Sequence, residues 1–476
     1  MRKVTLNPAP CALDLSDGSE RGPYVDQDYI LSRLGRPHRA VNLMYCYYPL
    51  DKEWPARISE VSERPAGAGG WTYAYDDYFP LTGETPYERM KDIRRHGQDV
   101  IFTLTCDPRI TDEQITAIAE RFVPFGRVMF RLNHEADGNW FSFNHRATYR
   151  EVADFFVRFR RVFLRTAPQV RFILCLSGIE STDKAEIPRE AEFRDAVRAA
   201  DIWSVDKYPS LNYAWPGEIA EKNNSGHYQR DLDGVFKTDL LTHDRYSFLC
   251  GGEKRPFQLC EHNEDGDVTG AYGQAERLKA FYDAVEKESE GKINGVTLYQ
   301  FRDEGRLGLE VTDPNNSNVG IEQPEMAVYR EIISRPFFSP VITEGEEAGE
   351  ENIPLRWGGS EDAEGVSLPL GLEKQPVFCE MYFDGELLPM NLMIRLGGQW
   401  FYKAPGTACV DLMPYFFARR NAEVQGLSAH LFAPPLEGVN PQDGTEDALV
   451  NYRTVLKCAP RLRVRYEAPG NPRQRP

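Results

Sequence analysis

Residues 127–135 read Arg127-Val128-Met129-Phe130-Arg131-Leu132-Asn133-His134-Glu135, and residues 255–261 read Arg255-Pro256-Phe257-Gln258-Leu259-Cys260-Glu261. Each is a short apolar run that ends abruptly on a glutamate. Runs that are apolar on both alternating faces belong to strands covered on both sides, the condition of a parallel sheet wrapped by helices. Further runs of this kind lie at 40–48, 99–106, 170–176, 202–206 and 295–301, with an eighth sought near 71–75, where the pattern is weakest. The stretches between them carry helical periodicity. Thr85-Pro86-Tyr87-Glu88, Thr111 to Gln114 and Thr148 to Glu151 have the Thr-x-x-Glu/Gln form of a helix start. After the last of these, Val152, Phe155, Phe156, Phe159, Val162 and Phe163 make one apolar stripe suited to packing on a sheet.

Eight strand-helix units over roughly 300 residues fit an α/β fold of the (β/α)8 TIM-barrel type. No Gly-x-Gly-x-x-Gly or Walker loop follows a strand, which removes the dinucleotide-binding alternative. Past residue 335 the pattern changes to short alternating segments between Gly and Pro turns, the mark of an antiparallel β-sandwich. The expected organisation is an N-terminal extension over 1–37, a barrel over 38–338, an acidic linker over 339–354, a sandwich over 355–467 and a disordered tail over 468–476. Trp357, Trp400, Phe401 and Tyr402 are read as sandwich core.

The chain of 476 residues carries a net charge of -17, which repels phosphate backbones and anionic lipid heads, so neither nucleic acid nor membrane is expected as a partner. The basic Met-Arg-Lys start has no apolar stretch behind it, and a cytoplasmic setting is expected unless a leader has been removed. Nine scattered cysteines contain no Cys-x-x-Cys pair, and no His-x-His strand end is present, so no metal or other cofactor is expected. Oligomeric state is not legible.

Barrel enzymes of this class carry their reacting groups where strands end, on the C-terminal face. Cleaving an acetal takes one group to protonate the departing oxygen and another to attack or support the oxocarbenium-like carbon, a pair of tasks two carboxylates perform when their environments differ. Glu135, followed by Trp140 and Phe141, has the apolar setting of an acid. Glu261 is the second carboxylate, with Tyr208 in Ser204-Val205-Asp206-Lys207-Tyr208-Pro209 as its donor. By strand count they fall on strands four and seven.

This arrangement resembles glycoside hydrolase clan A, and Asn133-His134-Glu135 followed by Gly138-Asn139-Trp140-Phe141 is similar to family 26, best known for β-mannanases. The resemblance covers residues 40 to 335 in layout and these motifs in identity. It implies a retaining glycoside hydrolase with Glu135 as acid/base and Glu261 as nucleophile, carboxyls ~5 Å apart. It also implies His134, with Asn133 before it, beside the sugar at the scissile bond, Tyr208 supporting the nucleophile, and Trp140 lining the cleft. The sequence departs from the family at Ser142-Phe143-Asn144 and at Tyr299-Gln300-Phe301-Arg302, where the clan commonly places a tryptophan.

The expected partner is an oligosaccharide or glycoside, β-mannosides first, with β-galactosides, β-glucosides or β-xylosides as alternatives; the alternative to an enzyme is that the chain is a non-catalytic carbohydrate-binding protein. Tyr213 and Trp215, in the long connection after strand six, are further substrate candidates, as are Tyr299 and Arg302 after strand eight, although Arg302 equally suits a structural ion pair. Glu264 and Asp265 are read as a solvated loop, and Asp137 as a turn residue ahead of Gly138.

Overall fold

A computed structural model describes residues 2–7, 9–19, 22–36, 38–51, 54, 78–95, 98–125, 128–138, 140–168, 170–178, 190–212, 227–303, 306–338, 341–344, 353–356, 366–376, 378–390, 392–397, 399–417, 424–432, 453–456 and 458–466. The chain divides into two compact units, one of residues 9–123, 127–339 and 470–476, the other of residues 1–8, 124–126 and 340–469.

The first unit is a closed barrel of eight parallel strands. In chain order they are Ala12–Ser16, Ala40–Tyr47, Asp99–Cys106, Val128–Leu132, Arg171–Leu176, Ile202–Asp206, Phe257–His262 and Ile293–Leu298, called strands one to eight below. Strand eight pairs with strand one, Gly295 beside Ala12 and Leu298 beside Leu15, and this closes the ring. The eighth strand expected near 71–75 is therefore Ala12–Ser16 instead, drawn from residues assigned to an N-terminal extension. Residues 71–75 lie outside the described residues. Strand one is five residues long and alternates apolar Leu13 and Leu15 with buried Asp14 and Ser16. Because the missing strand precedes Ala40 rather than following it, Glu135 and Glu261 still follow strand four and stand on strand seven.

The helices pack their stripes on the sheet as the periodicity requires. Helix Tyr149–Thr166 buries Val152, Phe155, Phe156, Phe159, Val162 and Phe163, and Phe130, Phe159, Phe163 and Phe172 stack around one another where it meets strands four and five. Reciprocal capping boxes close the starts at Thr111 and Thr148. Thr85 differs: it is the first residue of helix Thr85–Arg95, with Glu84 accepting the first backbone bonds.

Beside an apolar cluster of Ala40, Ile101, Met129, Ile173, Ile202 and Cys260, the barrel holds a chain of buried polar side chains. Asn42 donates to Ser16 Oγ at 2.9 Å, Thr103 to Asn42 Oδ1 at 2.8 Å and Arg131 Nε to Thr103 Oγ1 at 2.8 Å. This chain crosses strands one to four and delivers the Arg131 guanidinium, fully buried, to the C-terminal face.

The second unit holds a five-stranded sheet, a four-stranded antiparallel sheet and a two-stranded ribbon. Its core includes Leu368, Met381, Phe383, Leu392, Ile394, Phe416 and Leu462. Residues 339–354, expected as a linker, contribute Val341–Glu344 to the larger sheet, and Ile353–Arg356 begins the ribbon. Arg2–Asn7 also belongs to the larger sheet, running parallel to Arg461–Arg465. Trp357 and the tail at 468–476 lie outside the described residues. No helix among the described residues is long and apolar enough to cross a membrane.

Candidate active site

Strand four ends in a tight reversal. Asn133 and Glu135 both adopt left-handed backbone, with φ of 46° and 51°. Such φ values cost of order 1–3 kcal/mol for a residue with a Cβ, so the surrounding structure must hold them. Asn133 shows how: its Oδ1 accepts from Cys106 N at 2.7 Å and its Nδ2 donates to Cys106 O at 3.2 Å. Its amide is thus committed to strand three, and Asn133 is not the substrate contact that the sequence suggested. The turn it stabilises aims Glu135 across the barrel mouth.

The Trp140 indole donates to Glu135 Oε2 at 2.6 Å. Gly138 makes this approach feasible, since a Cβ there would lie 2.7 Å from the indole ring. Burial holds the Glu135 carboxyl well above the usual carboxylate range, and the charges of Asp206 and Glu261 push the same way against Trp140 and Arg131. A protonated acid with one oxygen fixed by an N–H donor keeps its other oxygen for the proton.

Glu261 has the opposite surroundings. Arg131 Nη2 donates to its Oε1 at 2.5 Å and Tyr208 OH to its Oε2 at 2.7 Å. A permanent cation and a phenol, one on each oxygen, are the partners of a carboxylate anion. Burial, then the Glu261 charge, pushes the Tyr208 phenol well above its ordinary value, so it remains a donor. Arg131 also spans both oxygens of Asp206, each at 3.0 Å, and Asp206 lies beside Glu261 in strand register. Burial and the neighbouring Glu261 push the Asp206 carboxyl up to about 7, against the pull of Arg131.

His134 is buried just after strand four and close to Glu261. Its Nε2 is 3.1 Å from Tyr78 OH and 3.8 Å from Glu261 Oε1, and its ring lies 4.4 Å from that of Phe141. Burial, then the Arg131 charge, holds the imidazole well below its usual range and so neutral. His134, Asp206 and Glu261 bring ligand-type atoms within 4.8 Å of one another, the spacing a metal ion would use. The guanidinium of Arg131 already sits on both carboxylates there and supplies the positive charge.

Phe141, Trp54 and Tyr299, each partly exposed, pack against the cluster of Met44, Cys46, Tyr48 and Tyr78 at this rim. Tyr299 stands edge-on to Tyr208 at 5.9 Å and 88°. These rings offer flat apolar surface beside the carboxylates, as a sugar ring requires.

The structure therefore brings together Glu135, Glu261, His134, Trp140, Tyr208 and Tyr299. Arg302 is not among them: its Nε and Nη2 bind Glu310 at 3.3 and 3.1 Å, its Nη1 reaches Ser317 O, and its plane covers Tyr29. Its guanidinium is committed to Glu310 and the Ser317 carbonyl, the structural ion pair that the sequence equally allows. Tyr213 and Trp215 lie outside the described residues. Glu264 is buried rather than solvated, bonded by Ser210 Oγ at 2.6 Å and Arg277 Nε at 2.9 Å, because strand seven continues past Cys260 to His262. Asp137 lies in the turn ahead of Gly138 and accepts from Ser177 N and Oγ, at 2.8 and 2.9 Å, across to the loop after strand five.

Arg131 and Asp206 are the residues that sequence reasoning passed over. The signal existed. Arg131 alternates with Val128, Phe130 and Leu132 in a strand otherwise apolar, and a charge on the inward face of a barrel strand demands a buried partner.

No family model matches this chain, and no curated protein matches it. Among solved structures, it is similar to a family 39 glycoside hydrolase from Bacteroides cellulosilyticus, at 13% identity over 89% of this chain and 81% of that one, TM-score 0.43. It is similar to a modular endo-β-1,4-mannanase of family 26 from Cellulomonas fimi, at 11% identity over 89% of each chain, TM-score 0.43. A glucosidase from Croceicoccus marinus has 12% identity over 90% of this chain and 98% of that one, TM-score 0.45. At these identities and scores the likenesses carry no argument about chemistry, which rests on the site itself.

Proposed function

We propose that this protein is a retaining glycoside hydrolase that cleaves β-glycosidic bonds through a covalent glycosyl-enzyme. One observation carries the reading: two carboxylates at one barrel mouth have opposite surroundings, Glu135 with the neutral Trp140 indole on one oxygen and its carboxyl pushed up by burial and neighbouring negative charge, Glu261 gripped by the Arg131 cation and Tyr208. Divergent environments assign an acid and a nucleophile.

In the first step Glu135 gives its proton to the glycosidic oxygen as the bond from that oxygen to the anomeric carbon breaks, and a Glu261 oxygen bonds to that carbon. In the second, Glu135, now a carboxylate, takes a proton from water as the water oxygen displaces Glu261. Neutral His134 and the rings of Phe141 and Tyr299 border the sugar being cleaved. The His134-Glu135 motif with Trp140-Phe141 supports β-mannosides as first substrates, ahead of β-glucosides, β-galactosides and β-xylosides.

The test is hydrolysis of a panel of aryl β-glycosides and short manno-, gluco- and xylo-oligosaccharides by wild type, Glu135→Ala and Glu261→Ala. Both variants should lose turnover by several orders of magnitude, and azide should rescue Glu261→Gly with inverted product. Near-normal turnover in either alanine variant, or inversion by the wild type, refutes the assignment.

A further inference from the structure

The loop that carries Trp140 is tied down at its far end by one side chain. Arg146 follows the short 3-10 helix Ser142–His145 and uses every edge of its guanidinium. Its Nε donates to Ser142 Oγ at 3.0 Å, its Nη1 to Asp51 Oδ1 and to Asp107 Oδ2, both at 3.0 Å, and its Nη2 lies 2.9 Å from Asp51 Oδ2. Its plane covers the Tyr48 ring at 4.3 Å. Asp107 comes directly after strand three, and Tyr48 and Asp51 come after strand two. Arg146 thus joins the loops of three consecutive strands.

What it holds is the wall on the Glu135 side of the mouth. Asn144 donates to Ala136 O at 3.0 Å, which closes the loop on itself. Phe141 stacks on Phe143 at 5.6 Å and 12° and leans on Trp140 at 6.4 Å. None of these neutral contacts reaches another loop with a charge, whereas Arg146 anchors through two carboxylates, one of them, Asp107, fully buried. A bidentate guanidinium also fixes direction, which a lysine ammonium does not.

We propose that Arg146 is a positioning residue for the proton donor: by holding Ser142, Asp51 and Asp107 together, it keeps the Trp140 indole seated on Glu135. This rests on the reading of Glu135 as acid/base, but its geometry is observable without turnover. The charged groups that face Glu135 are Asp206, Glu261 and Arg131, and none of them touches Arg146.

The test uses the indole N–H resonance of Trp140 in the 15N-labelled full chain, assigned by Trp140→Phe. In wild type it shifts with pH as Glu135 titrates. In Arg146→Met it should move toward the position of a free indole and lose that titration, while Arg146→Lys restores it in part. Hydrolysis of an aryl β-glycoside should fall about 10- to 100-fold in kcat with little change in KM, the scale of a small misplacement. An unchanged resonance and titration in Arg146→Met, with only a lowered Tm, overturns the proposal and leaves Arg146 a structural tie. If Arg146→Met does not fold, Asp51→Asn removes the outer partner alone, and the same shift or its absence decides. Loss of the indole titration in Arg146→Met, together with a wild type that hydrolyses no glycoside, supports the positioning and refutes the enzymatic reading.

Discussion

Tyr208 donates its hydroxyl proton to Oε2 of Glu261 at 2.7 Å, while the other oxygen of that carboxylate belongs to Arg131. The two donors are unequal, since one is neutral and one is charged. Tyr208→Phe removes only the neutral one, and hydrogen bonds to charged groups contribute about 1.5–3 kcal/mol. We expect kcat/KM for an aryl β-glycoside to fall about 10- to 100-fold, with the far-ultraviolet circular dichroism unchanged. Unaltered kinetics would mean that the phenol plays no part in holding the nucleophile.

Arg131→Met should do far more. It strands Asp206 and Glu261 side by side without their cation, and breaking a buried ion pair from one side costs about 3–5 kcal/mol. The variant should unfold at markedly lower denaturant and hydrolyse nothing. Wild-type stability on chemical denaturation would contradict the buried network.

The Glu135 carboxyl is raised above its ordinary value by burial first and by the charges of Asp206 and Glu261 next. The folded chain therefore binds that proton more tightly than the unfolded chain does. Its stabilising contribution is complete below the unfolded pKa of about 4.3 and is lost as pH rises through the raised folded value. Glu135→Gln has no such loss, so its Tm should gain on wild type as pH rises above the unfolded carboxylate value of about 4.3. The same proton sets the alkaline limb of kcat/KM, which should lie well above the ordinary carboxylate range. A Tm difference constant with pH would remove the basis for both statements.

Gly138→Ala adds a methyl group where the Trp140 ring already lies, at a spacing of 2.7 Å. Either the indole leaves Glu135 or the turn shifts. We expect about a tenfold or greater loss of kcat with an altered tryptophan fluorescence spectrum. Full activity with an unchanged spectrum would show that the loop absorbs the methyl group elsewhere.

Lys403, buried in the second unit, donates to the carbonyls of Leu388, Met390 and Ala404 at 2.9, 2.5 and 3.2 Å. Lys403→Met fills the same space and takes the ammonium from Met390 O, while Leu388 O keeps Gly406 N and Ala404 O keeps Thr407 N, at a cost of about 1–3 kcal/mol. A lowered unfolding transition with intact hydrolysis is expected. Loss of hydrolysis at a temperature where the variant stays folded would give this residue a role that its bonds do not suggest.

Strands three and six were legible to the residue, because an unbroken apolar run between turn signals has one reading. Strand one was not. It is only five residues long and alternates Leu13 and Leu15 with Asp14 and Ser16, so it lacks the longer, mostly apolar run that marks strand three. Glu135 and Glu261 were legible because a carboxylate after an apolar run is conspicuous, and so was Tyr208 beside its Asp-Lys-Tyr-Pro turn. The roles of Asn133 and Arg302 are not fixed by the sequence, for a common reason. Whether a polar side chain at a strand end faces substrate or a neighbouring strand depends on partners distant in sequence, Cys106 for one and Glu310 for the other.

The pairing of strand eight with strand one has a further consequence, for biogenesis. The ribosome delivers Ala12–Ser16 early, and strand eight, which covers its open edge, last of the eight. Until Ile293–Leu298 has emerged, the nascent ring carries one unpaired strand edge at each end, the surface on which chains pair with the wrong partner. Closure is the slow, non-local step of this topology. A chain stalled just short of strand eight should therefore depend on chaperones in a way that the finished barrel does not.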